Sequence, residues 1–137
     1  MKRRQIVSPA VSEASRPYSQ GVQFGSLVAI SGQVSIDGKG DLVAPGDASG
    51  QMQQIMSRTL SLLQAVGCDF SQVIKTTIFL KDIADYDVVN EAYGAVFEEP
   101  YPSRSTLVVE LIKPEYLVEV EFLAVAPSIE PEAPSGC

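Results

Sequence analysis

The chain contains no histidine. That absence removes Ser-His-Asp and Cys-His catalysis, histidine general bases and every zinc site built on imidazole. Cysteine is scarce too: Cys68 and Cys137 lie far apart and form no C-x-x-C pair. They build neither a metal site nor a disulfide scaffold, which points to a reducing compartment. Cys137 reads as a free thiol without function on a flexible tail. No apolar run approaches the length of a membrane span. The basic Lys2-Arg3-Arg4 is followed by Ser8, Pro9, Ser12 and Glu13, not by the apolar core of a secretory signal. A cytoplasmic location is therefore expected. Basic residues are outnumbered, 10 Lys+Arg against 17 Asp+Glu, for a net charge of −7. That balance repels nucleic-acid phosphates at long range, so no nucleic-acid partner is expected, and with no run of membrane-spanning length no membrane partner is expected either.

What is present suits one folded domain. At 137 residues, 45% hydrophobic and 20% charged, the chain falls among folded soluble proteins, not disordered ones. A chain of this length buries roughly two-thirds of its unfolded surface without disulfide staples. The domain is expected over residues 1–126. Residues 127–137, with Pro127, Pro131 and Pro134 and no periodicity, are expected to form a disordered tail.

Periodicity places the elements. Gly21–Phe24 and Leu27–Val34 read as strands, with Gly25-Ser26 as a tight hairpin turn between them. Met1 to about Arg16 reads as irregular. Asp37-Gly38-Lys39-Gly40-Asp41 is a turn; lacking a G-K-[ST] ending and a following helix, it makes a poor phosphate cradle. From Ser49 to Val66, Met52, Ile55, Met56, Thr59, Leu60, Leu63 and Val66 recur at helical spacing, opposite Gln53, Gln54, Arg58, Ser61 and Gln64. Gly67 stands where a left-handed cap is expected. Val73–Leu80 is rich in β-branched residues and reads as a strand. Asp82 or Asp85 is available to cap a second helix. Its buried side is marked by Tyr86, Val89, Tyr93, Val96 and Phe97, and it ends before Pro100. Ser103–Val109 and Leu117–Ala126 are the last strands, joined by a loop. The order is β-β-(β)-α-β-α-β-β, an α+β class, most economically packed as one sheet with two helices on one face.

The last strand carries an unusual face. Alternation puts Val118, Val120, Phe122 and Ala124 toward the helices, leaving Glu119 and Glu121 among Leu117, Leu123 and Val125 on the other side. If this strand pairs with Ser103–Val109, Arg104 shares that outer face with Glu119 or Glu121. A subunit interface holding a polar pocket fits this mixture. Pattern alone favours a salt bridge on a wet sheet, worth about 0–1 kcal/mol.

Four stretches carry a resemblance to a known family. They are Arg16-Pro17-Tyr18-Ser19-Gln20-Gly21-Val22, Ala29-Ile30-Ser31-Gly32-Gln33-Val34, and Val73 to Asp82 with Asn90-Glu91-Ala92-Tyr93. The fourth is Pro102-Ser103-Arg104-Ser105 with Val118-Glu119-Val120. In this order and spacing, across Pro17 to about Ala126, the chain resembles the Rid (RidA/YjgF) enamine/imine deaminases.

The resemblance implies a chorismate-mutase-like fold with a mainly antiparallel sheet. It also implies a homotrimer in which sheets form a central barrel and active sites lie between subunits. Hydrolysis of 2-enamino and 2-imino acids of the 2-aminoacrylate type to 2-keto acids and ammonia follows, with no cofactor and no metal. By the same likeness, Arg104 binds the substrate carboxylate through two parallel donors, which lysine cannot copy. Glu119 positions or activates the attacking water. Tyr18, Ser31-Gly32 and Asn90 line the site, glycine permitting close backbone approach. Thr106 stands where a cysteine is common, so the substrate-facing wall beside Arg104 gains a hydroxyl. Thr106 is the departure that bears on substrate choice; Glu110 and Ile112-Lys113-Pro114 reshape a loop. Two other readings stand beside this one: a non-catalytic ligand-binding or chaperone-like trimer, and, last, an endoribonuclease.

Overall fold

Strand alternation near the C-terminus organises the molecule. In the computed structural model, which describes residues 1–127, Val118, Val120, Phe122 and Ala124 are all buried on one face of strand Val118–Val125. Glu119 and Leu123 on the other face are half-buried, and Glu121 and Val125 are exposed. The expected disorder of the tail concerns residues that lie, Pro127 apart, outside those described.

In chain order the elements are β1 Arg4–Gln5, β2 Gly21–Phe24, β3 Leu27–Gln33, α1 Ala48–Gln64, β4 Val73–Leu80, α2 Tyr86–Gly94, β5 Ser103–Val108 and β6 Val118–Val125. They form one six-stranded sheet ordered β1-β2-β3-β6-β4-β5, antiparallel except for the β4–β5 pair. The α+β architecture with two helices over a mainly antiparallel sheet is thus the observed one. The helices cover the face that buries Val28, Ile30, Ile78, Leu80, Val118 and Val120. Asp47 caps α1 by accepting from Gly50 N, and Gly67 takes φ 74° just beyond it, where a side chain would be strained.

Four expectations need correction. The N-terminal segment is not wholly irregular: Arg4–Gln5 pairs with β2, and Ile6 and Val11 enter the core. α2 ends at Gly94, so Val96 and Phe97 reach the core from the following turn, while Tyr86 stays 38% exposed. Asp82 caps the short 83–85 turn ahead of α2, and Asp85 makes no side-chain cap bond. On α1, Arg58 is buried rather than solvated, at 4% exposure, while Leu60 is only half-buried.

A bulge interrupts β3. Ile30 faces Phe122 and Gln33 faces Val120, so three steps on β3 match two on β6 and the extra residue falls at Ser31-Gly32. The insertion reverses the alternation beyond it. Gln33, which regular pleating would put on the outer face, turns inward beneath α1 with 1% exposure.

Candidate active site

Strand neighbours point the same way across a sheet, so pairing assigns each candidate to a face. Arg104 on β5 stands beside Thr76 on β4, which stands beside the inward-facing Phe122 on β6. Arg104 therefore lies on the helix face. Glu119 pairs with Phe79, next to Leu107, on the opposite face. The expected sharing of one face by Arg104 and Glu119 or Glu121 is overturned, because β4 separates β5 from β6 and the parallel β4–β5 register sets the phase. Two strand spacings, about 10 Å, and the sheet itself part Arg104 from Glu119 within one chain.

Arg104 sits at the sheet edge where α2 overhangs it. Its guanidinium lies 4.9 Å from the Tyr93 ring centroid and 6.0 Å from that of Tyr86, and its Nη2 donates to Tyr86 Oη at 3.3 Å. Tyr93 Oη in turn shares a 2.8 Å hydrogen bond with the buried Thr76 Oγ1, fixing the ring against which Arg104 stacks. Burial raises the Tyr93 phenol's pKa, so the ring stays neutral beside the cation. These partners are all uncharged, which leaves the cationic fork available to a small carboxylate. A hollow of about 320 Å³ opens there, lined by Asn90, Tyr93, Gly94, Tyr101, Pro102 and Arg104. Asn90 and Arg104 thus line the same hollow. Thr106 is half-buried on the same strand face, two residues along, beside Ile78. A larger hollow of about 450 Å³ beside Phe70 and Phe97 is rimmed by Asp69, Glu98 and Glu99 and offers an acid no cationic partner.

The other candidates gather on the far face. Glu119 reaches across to the β3 bulge, where a Cβ on Gly32 would stand 2.8 Å from its Cδ. Ser31 Oγ donates to Ser19 O at 2.6 Å and Ser31 N to Gln20 O at 2.9 Å, tying the Tyr18-Ser19-Gln20 segment to the bulge. Tyr18 itself is 55% exposed. Desolvation, then the like charge of Glu121, raises the Glu119 pKa, so this carboxyl holds its proton to higher pH than an ordinary glutamate.

Tyr86, Tyr93 and Tyr101 are the site residues the sequence reading left unassigned. Tyr86 and Tyr93, seven apart on α2, share a helix face and flank Arg104; that spacing was visible, whereas the partner strand was not. Gly32 carries a direct test. Its φ is not in the left-handed region, so Gly32→Ala is compatible with the backbone and displaces the flexible end of Glu119. An unchanged Tm within a few degrees is expected, with any Glu119-dependent activity lowered about 10- to 100-fold, as a misplacement near 1 Å costs. Thermal melts with steady-state rates check it.

A six-stranded mixed sheet under two helices, with a cationic aromatic hollow on one face and a carboxyl at a bulge on the other, matches proteins of known structure. The family model described as Endoribonuclease L-PSP matches residues 8–126. The chain is 36% identical over 123 residues to a 2-iminobutanoate/2-iminopropanoate deaminase of Mus musculus, covering 89% of this chain and 91% of that protein. The conserved Rid family protein YyfA of Yersinia pestis superposes with a TM-score of 0.85 at 31% identity, over 91% of this chain and 100% of that one. Escherichia coli TdcF, solved with bound serine, gives a TM-score of 0.81 at 30% identity, over 90% and 99% of the chains. The class is therefore an L-PSP-type α+β protein. More narrowly, the chain belongs to the Rid (RidA/YjgF) family.

Proposed function

We propose that this protein is a homotrimeric deaminase that hydrolyses 2-imino and 2-enamino acids of the 2-aminoacrylate type to 2-keto acids and ammonia. The observation that carries the reading is the Arg104 guanidinium, stacked on Tyr93 with only neutral partners at the edge of an open hollow. The deaminase name borne by a relative at 36% identity and the serine held by TdcF agree with a small acid as substrate.

The active site is completed between subunits. Arg104, Asn90 and Thr106 supply one half from the helix face and edge of one protomer. Glu119, Ser31, Gly32 and Tyr18 supply the other from the outer face of its neighbour. A trimer whose sheets close into a barrel also covers the apolar part of that face, where Leu27, Leu107 and Val125 are each at least 40% exposed.

Chemistry then follows from position. Imines hydrolyse in water unaided, so the barrier to be lowered is modest and orientation supplies most of the gain. Arg104 grips the carboxylate and fixes the imine carbon. Glu119 orients a water and accepts its proton as the C–O bond forms; the tetrahedral carbinolamine then breaks its C–N bond and releases ammonia. The leaving nitrogen takes the protons it needs from solvent water as the carbinolamine hydroxyl gives up its own, so the sum is imine plus water to 2-keto acid plus ammonia.

The test generates 2-aminoacrylate in situ with a dehydratase and follows pyruvate release. Release faster than the spontaneous rate, and lost in Arg104→Ala, is expected; wild type no faster than that variant contradicts the reading. Binding of 2-keto acids without turnover marks the ligand-binding alternative. Net charge −7 and the lack of histidine argue against RNA as substrate.

A further inference from the structure

Beneath the bulge lies a charge that the mechanism does not use. Arg58 on α1 is 4% exposed, yet its side-chain hydrogen bonds go to neutral acceptors: Nε donates to Gln33 Oε1 at 3.2 Å and Nη1 to Ile36 O at 3.2 Å. A buried guanidinium is costly to desolvate, and a surface helix position has cheaper occupants. Desolvation lowers its pKa, only partly offset by more distant Tyr116, Tyr18 and Asp37. Its placement is explained by what it holds.

Gln33 is turned inward by the bulge and is 1% exposed. Its Nε2 donates to Ser31 O at 3.0 Å and to Gln20 Oε1 at 3.1 Å, and Gln20 Nε2 continues to Ser12 O at 3.1 Å. With Oε1 accepting from Arg58, the amide's orientation is determined: carbonyl toward α1, NH2 toward the bulge. One chain of hydrogen bonds therefore runs from α1 through Arg58 and Gln33 to the backbone that backs Glu119 and to the Tyr18 segment.

Resting on the deaminase reading above, we propose that Arg58 is a positioning residue for the Glu119 half of the active site, acting through Gln33 on the Ser31-Gly32 bulge. Without the guanidinium, Gln33 Oε1 is left buried without its donor, the amide turns, and the bulge loses the bonds that set Gly32 under Glu119. The Arg104 half stands three strand spacings away, about 15 Å, at the β5 edge beneath α2, and its one side-chain hydrogen bond goes to Tyr86, outside this network.

The experiment compares wild type, Arg58→Met, Gln33→Met and the double variant in three readouts. The first is kcat in the 2-aminoacrylate assay, the second calorimetric binding of pyruvate, the third amide hydrogen exchange at Ser31 and Gly32. Arg58→Met is expected to lower kcat about 10- to 100-fold. Pyruvate should still bind at the wild-type stoichiometry with Kd changed less than about threefold, and exchange should quicken at the bulge but not in α1. Since both residues act as one unit, the double variant should be no slower than the worse single variant. Arg58→Lys, able to reach one acceptor but not both, should fall between. A purely structural role would instead lower the binding stoichiometry along with kcat. That result, a kcat within twofold of wild type, or unchanged exchange at Ser31 and Gly32 overturns the proposal. If wild type itself releases no pyruvate, the deaminase reading fails and the catalytic role with it. Exchange at the bulge still reports whether Arg58 holds it.

Discussion

Replacing Arg104 by alanine is expected to lower kcat/KM for a small 2-imino acid by about 10²- to 10³-fold, the worth of two charge-assisted hydrogen bonds to a carboxylate. The loss should fall on KM as well as on kcat, because the same fork binds the ground state and aims the imine carbon. Folding should barely notice. Arg104 lies on an edge strand, half-buried, with a single 3.3 Å hydrogen bond to Tyr86, so the Tm should move only a few degrees. Arg104→Lys keeps the charge but not the planar fork and should recover only part of the activity. Progress curves for pyruvate release, corrected for spontaneous hydrolysis, and 2-keto acid titrations check both. A variant that binds 2-keto acids as wild type does would remove the carboxylate role from Arg104.

Glu119→Gln is expected to separate activity from stability in opposite directions. The amide cannot accept the proton of the attacking water, so kcat should drop about 10²- to 10⁴-fold. Stability should not drop. Because burial and Glu121 raise the folded-state pKa of Glu119, the native protein binds this proton more tightly than the unfolded chain does. The contribution is therefore fully present below the ordinary glutamate pKa and is lost as pH rises through the raised value. At neutral pH the wild type carries that penalty and Glu119→Gln does not, so its Tm there should equal or exceed that of wild type. The same shift places the acid limb of the kcat profile above the usual carboxylate range. Removing the neighbouring charge in Glu121→Gln should move the limb to lower pH while leaving the plateau nearly intact. Rate profiles and melts between pH 4 and 8 measure both effects; a limb that does not respond to Glu121→Gln would detach it from Glu119.

Much of this architecture could be read from residue pattern. Val118, Val120, Phe122 and Ala124 alternate cleanly because one face of β6 meets helices, and the α1 stripe at Met52, Ile55, Met56, Thr59 and Leu63 is likewise buried. Motif spacing pointed to the family and to Arg104, Glu119, Asn90 and Gly32 as candidates. Strand order was not legible. Nothing local in Ser103–Val108 says that it pairs parallel with β4 and not with β6, and that choice moved Arg104 to the other face. The bulge at Ser31-Gly32 was equally hidden, since a one-residue insertion leaves apolar alternation before it undisturbed. Arg58 read as solvated because its partner, the inward-turned Gln33, exists only as a consequence of that bulge. In each case local preference was sound and a long-range pairing decided the outcome.

Arg104 and Glu119, on opposite faces of one sheet, can act together only across an interface, and subunit mixing tests this. Arg104→Ala and Glu119→Gln chains, each nearly inactive alone, are unfolded, mixed in equal amounts and refolded. Random assembly of symmetric oligomers then gives about one quarter of the sites an intact arginine from one chain and an intact glutamate from its neighbour. Recovery of about a quarter of wild-type activity is expected. A mixture no more active than its parents, under conditions where refolded wild type regains its rate, would mean that both groups serve from the same chain.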